Sequence, residues 1–436
     1  MKKTLFLAAA ACVALAAPAM AQDVAITNAK LVIGDGSAPV EGGTVVVRGG
    51  KVVAAGRGVA VPAGVAVVDA AGRYVTPGIF AGFTRMGIVE VDGVGVTNDA
   101  AAGSSPFNAA LDVTPAVNPR ATPIAINRAD GVTRAVVAPD VSKGSIFAGQ
   151  GAVIDTRSDL HAVARPRAFQ FMEYGESGGR VAGGSRPAAI AMLRNAMLEA
   201  RDYARNPASF ADRGKDALLT RADAEALAAV VQGKVPLLVH VERASDILVL
   251  LQLKRETPGL KLVLVGATEG WTVAREIAAA GVPVLANALN DLPASFEQLA
   301  ATQSNIGRMQ AAGVLVGVGT INDDEARQAR LEKQFAGNLV ALTRVPGATG
   351  LSWDAAFAAI SSKPAEAMGM GEAYGSLKTG RAGDVVVWDG DPLEIGSMPV
   401  KLYVDGIEQS LTTRQTRLRD RYWKPEEGAL PKAYQR

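Results

Sequence analysis

Cysteine and histidine are almost missing from this chain. Its 436 residues hold one Cys, Cys12, and two His, His161 and His240. One thiol excludes a disulfide framework, and two imidazoles limit both histidine-rich metal sites and histidine-assisted nucleophiles. Aromatic residues make up only 5%, so the core must be built mainly from aliphatic side chains. A one-sided charge is absent too. There are 45 Lys and Arg against 43 Asp and Glu, which argues against nucleic acid or an anionic membrane surface as partner. What is present is 49% hydrophobic residues, 20% charged residues and 47 Gly. That excludes a disordered or collagenous chain and predicts one large globular unit or two domains, with many tight turns.

Residues 1–21 read as an export signal. Lys2 and Lys3 form a positive start, Leu5 to Ala17 is apolar, and Ala19-Met20-Ala21 supplies an A-x-A cleavage site. The apolar stretch is too short to span a bilayer. Cleavage is expected after Ala21, with the mature protein in a periplasm. Cys12 falls inside this segment, and Ala9 to Ala11 before it make a poor lipobox. The mature chain then has no thiol for a disulfide, a nucleophile or a metal. Losing Lys2 and Lys3 leaves 43 basic residues against 43 acidic ones. No later run reaches the roughly 18 apolar residues that a membrane span requires.

Residues 22–75 have β character. Thr44 to Arg48 is a β-branched strand, Gly49-Gly50 is a two-residue hairpin signal, and Lys51 to Ala55 is the return strand. From 76 to 370 the rhythm changes. Apolar runs at Arg134–Ala138, Pro236–His240, Leu262–Val265, Val282–Leu285 and Val314–Val318 alternate with Ala-rich helical runs. Thr220-Arg221-Ala222-Asp223 resembles a capping box opening a helix that Gly233 closes. Further helices are expected over 187–205 and 271–280. Continuous apolar strands between helices predict a parallel sheet covered on both faces. Roughly 295 residues suffice for a (β/α)₈ barrel, which takes about 250. From 371 to 436 β character returns in Gly383–Trp388 and Lys401–Gly406. The two ends are therefore expected to build one small sheet domain, and Thr412 to Arg436 a polar surface tail. Gly144 to Gly151 lacks the Lys-Ser/Thr ending of a phosphate loop. It reads as a turn whose glycines let a strand pass close to a neighbour.

Two segments carry a family likeness. Gly72-Arg73-Tyr74-Val75-Thr76-Pro77-Gly78-Ile79 resembles the way into the barrel in the amidohydrolase superfamily. Gly375 to Gly380, followed by Asp384 to Trp388 and Asp391-Pro392-Leu393, resembles that superfamily's C-terminal signature, and Ser362-Lys363-Pro364-Ala365 fits the preceding helix end. The likeness is greatest to exported imidazolonepropionase-like or dipeptidase-like members. It implies a metal-dependent TIM barrel with a composite β-sandwich, hydrolysing amide or other carbon–nitrogen bonds.

The metal ligands that the resemblance implies are mostly not there. Phe83 and Arg85 stand where the first strand should offer a His-x-His pair, and Ala81 replaces the preceding Asp. His240 matches the fifth-strand ligand, Gly266 falls at the sixth-strand His, and Ile321 at the eighth-strand Asp. No fourth-strand Lys is evident. A catalytic zinc takes three protein ligands and an open position. Phe83 has no lone pair, and a guanidinium at Arg85 repels a dication by several kcal/mol. We therefore expect no metal and no other cofactor.

The remaining candidates are His240 and Asp323 for catalysis, and Arg85 and Glu242 for ligand binding. His240 reads as a residual ligand or general base, or as an inherited His bonded to a neighbour. Asp323 enters the site on a register slip, or else caps a helix over Glu325 to Phe335. Arg85 anchors an anionic ligand such as a peptide carboxylate, or pairs with Glu90, Asp92 or another acid. Glu242 and Arg243 read as an ion pair facing away from the pocket, an orientation that strand alternation favours for one of them, and His161 as a surface residue in a polar turn. The expectation is a non-catalytic relative that binds a small acyl-amino-acid or peptide-like ligand, or pairs with an active amidohydrolase paralogue, as a homo- or hetero-oligomer. The rival is an active hydrolase of carbon–nitrogen bonds that uses His240 and unrecognised ligands.

Overall fold

A computed structural model describes residues 22–91, 93–142, 144–208, 210, 217–288, 290–321 and 327–423. The expected export signal and Asp323 lie outside the described residues. The first five strands are β1 (Val24–Leu31), β2 (Val40–Arg48), β3 (Lys51–Arg57), β4 (Ala66–Asp69) and β5 (Tyr74–Pro77). Gly49 and Gly50 both have positive φ, +54° and +79°, as the tight β2–β3 hairpin demands. The barrel strands follow as β6 (Ile79–Thr84), β7 (Val132–Val137), β8 (Phe147–Asp155), β9 (Val163–Glu173), β10 (Leu237–Val241), β11 (Leu262–Gly266), β12 (Val284–Ala286) and β13 (Val316–Val318). Last come β14 (Val385–Trp388), β15 (Pro399–Val404) and β16 (Ile407–Glu408).

Both ends of the described chain share one sheet, in the order β16-β15-β14-β5-β1-β2-β3, with β4 beside β1. The antiparallel β14–β5 pair joins the C-terminal strands to the N-terminal ones. Their inward residues, among them Ile26, Val45, Val75, Val385 and Tyr403, make a core of their own. Arg134 of β7 ties this sheet to the barrel. It is buried, and its guanidinium grips Asp384 at 2.8 and 3.1 Å and Asp405 at 2.6 Å.

The second sheet runs from β6 to β13 in sequence order. The Thr320 N–H and hydroxyl both donate to the Phe83 carbonyl, at 3.2 and 2.7 Å, and bring its two edges together. It is a nearly closed eight-stranded barrel with helices outside. One of these, Arg221–Val231, is capped by the Thr220 hydroxyl, which accepts from the Asp223 N–H. The strand–helix alternation is less regular than the sequence predicts. β8 runs antiparallel to both β7 and β9. The run Gly144–Gly151 is accordingly half strand, not a turn. Its glycines do serve close approach: a Cβ on Gly149 would lie 2.6 Å from the Leu111 carbonyl oxygen, and one on Gly151 would enter the Phe169 ring. The barrel interior is apolar. Phe80, Phe83, Phe171, Leu238, Val265 and Ile321 pack there, with the Phe83 and Phe171 rings 5.2 Å apart.

Candidate functional site

Strand alternation decides which side chains reach the barrel mouth. In β9 Phe169 and Phe171 point inward, so Glu173, the last residue of the strand, follows them. In β10 Leu238 points inward, and His240 follows. Parallel pairing sets His240 beside Glu173. Just past the strand end, Glu242 is the next residue of the same alternation.

These three residues form one chain of contacts. His240 Nδ1 is 2.6 Å from Glu173 Oε2, and His240 Nε2 is 2.9 Å from Glu242 Oε1. The other oxygen of Glu242 accepts the Thr268 N–H at 2.8 Å. Burial by itself would push the imidazole down, but the Glu173 charge and hydrogen bond, and then those of Glu242, hold it well above the ordinary histidine value. For Glu242 burial pushes upward, and the His240 contact and the Thr268 N–H outweigh it, leaving the carboxyl below its usual range. The arrangement is a buried imidazole ring between two carboxyl groups, with Glu242 at 1% exposure.

A cavity of about 550 Å³ opens above this triad. Arg85, Asp140, Glu176, Arg180 and Glu297 line it together with Ser177, Ser295 and Gln298. Arg85 pairs with Asp140 at 3.2 Å, while its buried Nε–H makes no hydrogen bond. The acid that answers Arg85 is thus Asp140; Glu90 accepts from the Asn118 amide instead, at 2.9 Å. Glu297 accepts the Glu176 N–H at 2.7 Å and the Arg186 guanidinium at 3.0 Å, and burial pushes its carboxyl up. Gly175, with φ +70°, leaves room for it, since any Cβ there would strike Glu297 Oε2.

Of the sequence candidates, the structure brings Arg85, His240 and Glu242 into one cavity. The expected Glu242–Arg243 ion pair is corrected: Glu242 turns inward to His240, and Arg243 bonds Asp246 at 2.7 Å. His161 is exposed, with its N–H on Asp159 at 2.7 Å. Glu173 and Asp140 were missed. The period-two run Phe169-Gln170-Phe171-Met172-Glu173 would have exposed Glu173 as an inward carboxylate at a strand end.

The donor set does not fit a divalent cation. Both ring nitrogens of His240 are already committed to carboxyl groups, at 2.6 and 2.9 Å, so neither lone pair is directed at an ion. Phe83 packs on Phe171, and Ile321 is buried in the same apolar cluster. A Cβ on Gly266 would lie 2.7 Å from Glu242 Oε1, so the carboxylate occupies the space of a sixth-strand side chain. Among the described residues no group of three or more His, Cys, Asp or Glu is placed to hold a metal ion.

Residues 252–416 match the model of the Amidohydrolase family, a span that begins after His240 and takes in the C-terminal strands. Amidohydrolase tasK of Hapsidospora irregularis is 26% identical over 383 residues, which is 80% of this chain. The chain spans 38% of that relative's length. Among solved structures, an amidohydrolase from Thermotoga maritima MSB8 superposes with a TM-score of 0.76 at 24% identity, covering 88% of this chain and 99% of its own. A molinate hydrolase gives 0.54 at 17% identity, covering 95% and 98%. At these identities the structural likeness speaks for the fold.

Proposed function

The chain belongs to the amidohydrolase superfamily, and from that premise we propose that it is a non-catalytic member that binds a small acyl-amino-acid or peptide-like ligand in the barrel mouth. The observation that carries this reading is the state of His240. With its two ring nitrogens at 2.6 and 2.9 Å from carboxyl oxygens of Glu173 and Glu242, the ring turns neither nitrogen toward a metal or a water. The cavity keeps the means of recognition. Arg85 and Arg180 supply guanidinium groups for a carboxylate, and Asp140 and Glu176 supply acceptors for N–H or ammonium groups. The unmatched Nε–H of Arg85 favours an anionic group beside it. The Lys2-Lys3 start, the apolar run and Ala19-Met20-Ala21 support export to a periplasm, where an active paralogue is a fitting partner.

Two measurements test the reading. Purified protein should carry well under one equivalent of Zn, Mn or Fe by elemental analysis. Calorimetry with N-acetyl-amino acids and dipeptides should show saturable binding that weakens in Arg85→Ala, with no hydrolysis product by chromatography. One tightly held metal ion per chain, or hydrolysis abolished by His240→Ala, would establish the active-hydrolase alternative instead.

A further inference from the structure

A second depression lies at the other end of the barrel, where the strands begin. Its volume is about 270 Å³. Four cations from four separate segments line it: Arg165 of β9, Lys234 just before β10, Lys261 just before β11, and Lys254 on the helix Ala244–Glu256. The one acid in the lining, Glu366, is held by Lys363 at 2.9 Å. Lys254 donates one hydrogen bond to the Leu260 carbonyl at 3.1 Å. Among the described residues none of the four forms an ion pair.

This is not the average surface of the molecule. The whole chain balances 45 cations against 43 acids, yet this pocket gathers four against one already neutralised acid. Like charges converging on a concave surface raise each other's electrostatic energy, and an anion of two or more charges at their centre reverses the sign. The floor, which includes Ala168, Leu262, Val263 and Met368, is apolar. Three ammonium groups and a guanidinium approaching from different directions suit a tetrahedral oxyanion better than a planar carboxylate, which favours a paired Arg fork. We infer that this depression is an anion site for the phosphate or diphosphate group of a small soluble molecule, separate from the cavity at the strand ends.

Titration of the full chain with inorganic pyrophosphate, by calorimetry in a phosphate-free buffer of low ionic strength, tests this. One saturable site is expected, weakening as salt is added. Lys234→Ala combined with Lys261→Ala should weaken it about tenfold or more, equal to about 1.4 kcal/mol. Arg85→Ala should leave it unchanged. Both lysines are exposed, so circular dichroism and melting curves should match the parent. Absence of saturable heat, equal affinity in the double variant, or equal loss in Arg85→Ala would each overturn the site. Sedimentation with phosphatidylglycerol vesicles that pyrophosphate does not compete away would assign the cations to a lipid surface and overturn the soluble-ligand assignment.

Discussion

The carboxylate of Glu242 lies in the space that a side chain on Gly266 would occupy. Gly266 is the partner of Val241 across the β10–β11 pair and has φ +89°, and a Cβ there would lie 2.7 to 3.0 Å from three atoms of the Glu242 carboxyl group. Backbone conformation and packing thus demand glycine for two separate reasons. Gly266→Ala should cost roughly 1–3 kcal/mol in urea unfolding. In the Gly266→Ala, Glu242→Ala double variant the clash disappears while the strain remains. The two effects should therefore fall short of additivity by about 0.5 kcal/mol or more. Strict additivity would show that the carboxylate does not press on this strand.

His240 should remain an imidazolium well into the range where histidines are ordinarily neutral. The folded value is raised above 6.5 by Glu173 and Glu242 against burial. A raised folded pKa contributes stability that is complete below about pH 6.5 and fades as pH climbs through the folded value. Glu242 has the opposite sign. Its lowered carboxyl contributes above the ordinary 4.5, and that contribution is lost as pH falls through the depressed value. The triad is therefore fully stabilising between those two limits. With only two His in the chain, the imidazole region of an NMR titration is readable directly. The His240 midpoint should lie above the ordinary 6.5, and Glu242→Gln should bring it down. A midpoint at or below 6.5 would show that the two carboxyl groups do not hold the ring, and would weaken the non-catalytic reading.

Local chemistry made much of this legible beforehand. Gly49-Gly50 requires a hairpin whatever surrounds it, and Thr220 caps its helix through a bond only three residues long. The apolar run ending at His240 placed that residue at a strand end without any tertiary information. What stayed hidden depends on distant partners. Glu173 meets His240 across 67 residues, and Asp140 meets Arg85 because β6 and β7 are neighbours. β8 was obscured by glycines, which lower strand propensity and are there because Leu111 and Phe169 come so close. The inward turn of Glu242 follows from His240 already facing in. Alternation turns only one of Glu242 and Arg243 outward, and the inward His240 decides that it is Arg243.

Glu332 offers a second test of how burial and charge trade off. It opens the helix Glu332–Ala341, is fully buried, and neither carboxyl oxygen is in a formed hydrogen bond. Burial pushes its pKa well above 4.5, and the pull of the nearby Gly82 N–H, which falls short of a formed hydrogen bond, offsets only part of this. The folded state therefore favours the neutral acid over a wider pH range than the unfolded chain does. The stability it contributes is complete below about 4.5 and declines as pH rises towards the folded value. Glu332→Gln removes that decline. The variant should match the parent near pH 4.5 and gain on it by up to about 1.4 kcal/mol for each pH unit above, as read from urea midpoints at pH 5, 6.5 and 8. Parallel stability profiles would mean that the carboxyl ionises freely in the folded protein.

Arg134 should be the most costly single residue to lose outside the mouth of the barrel. It sits on β7 at 2% exposure, bonds both oxygens of Asp384 and one of Asp405, and lies 3.9 Å from Asp155. Burial acts against its charge, but Asp384, then Asp405 and Asp155, more than compensate and raise its pKa. Removing the cation takes the guanidinium from Asp384 and Asp405, while Asp155 keeps Arg157 at 2.9 Å, and that imbalance is worth roughly 3–5 kcal/mol in Arg134→Met. Arg134→Lys keeps the charge but not the planar fork, so it should recover only part of the loss. Because Asp384 immediately precedes β14, which pairs with β5, the damage should be local as well as global. Hydrogen exchange in Arg134→Met should quicken first in Val385–Val387 and at Val75 and Thr76, while β10 and β11 keep their protection. A loss below about 1 kcal/mol, or exchange that quickens evenly through both sheets, would show that the β-sheet domain is held to the barrel by its apolar contacts alone.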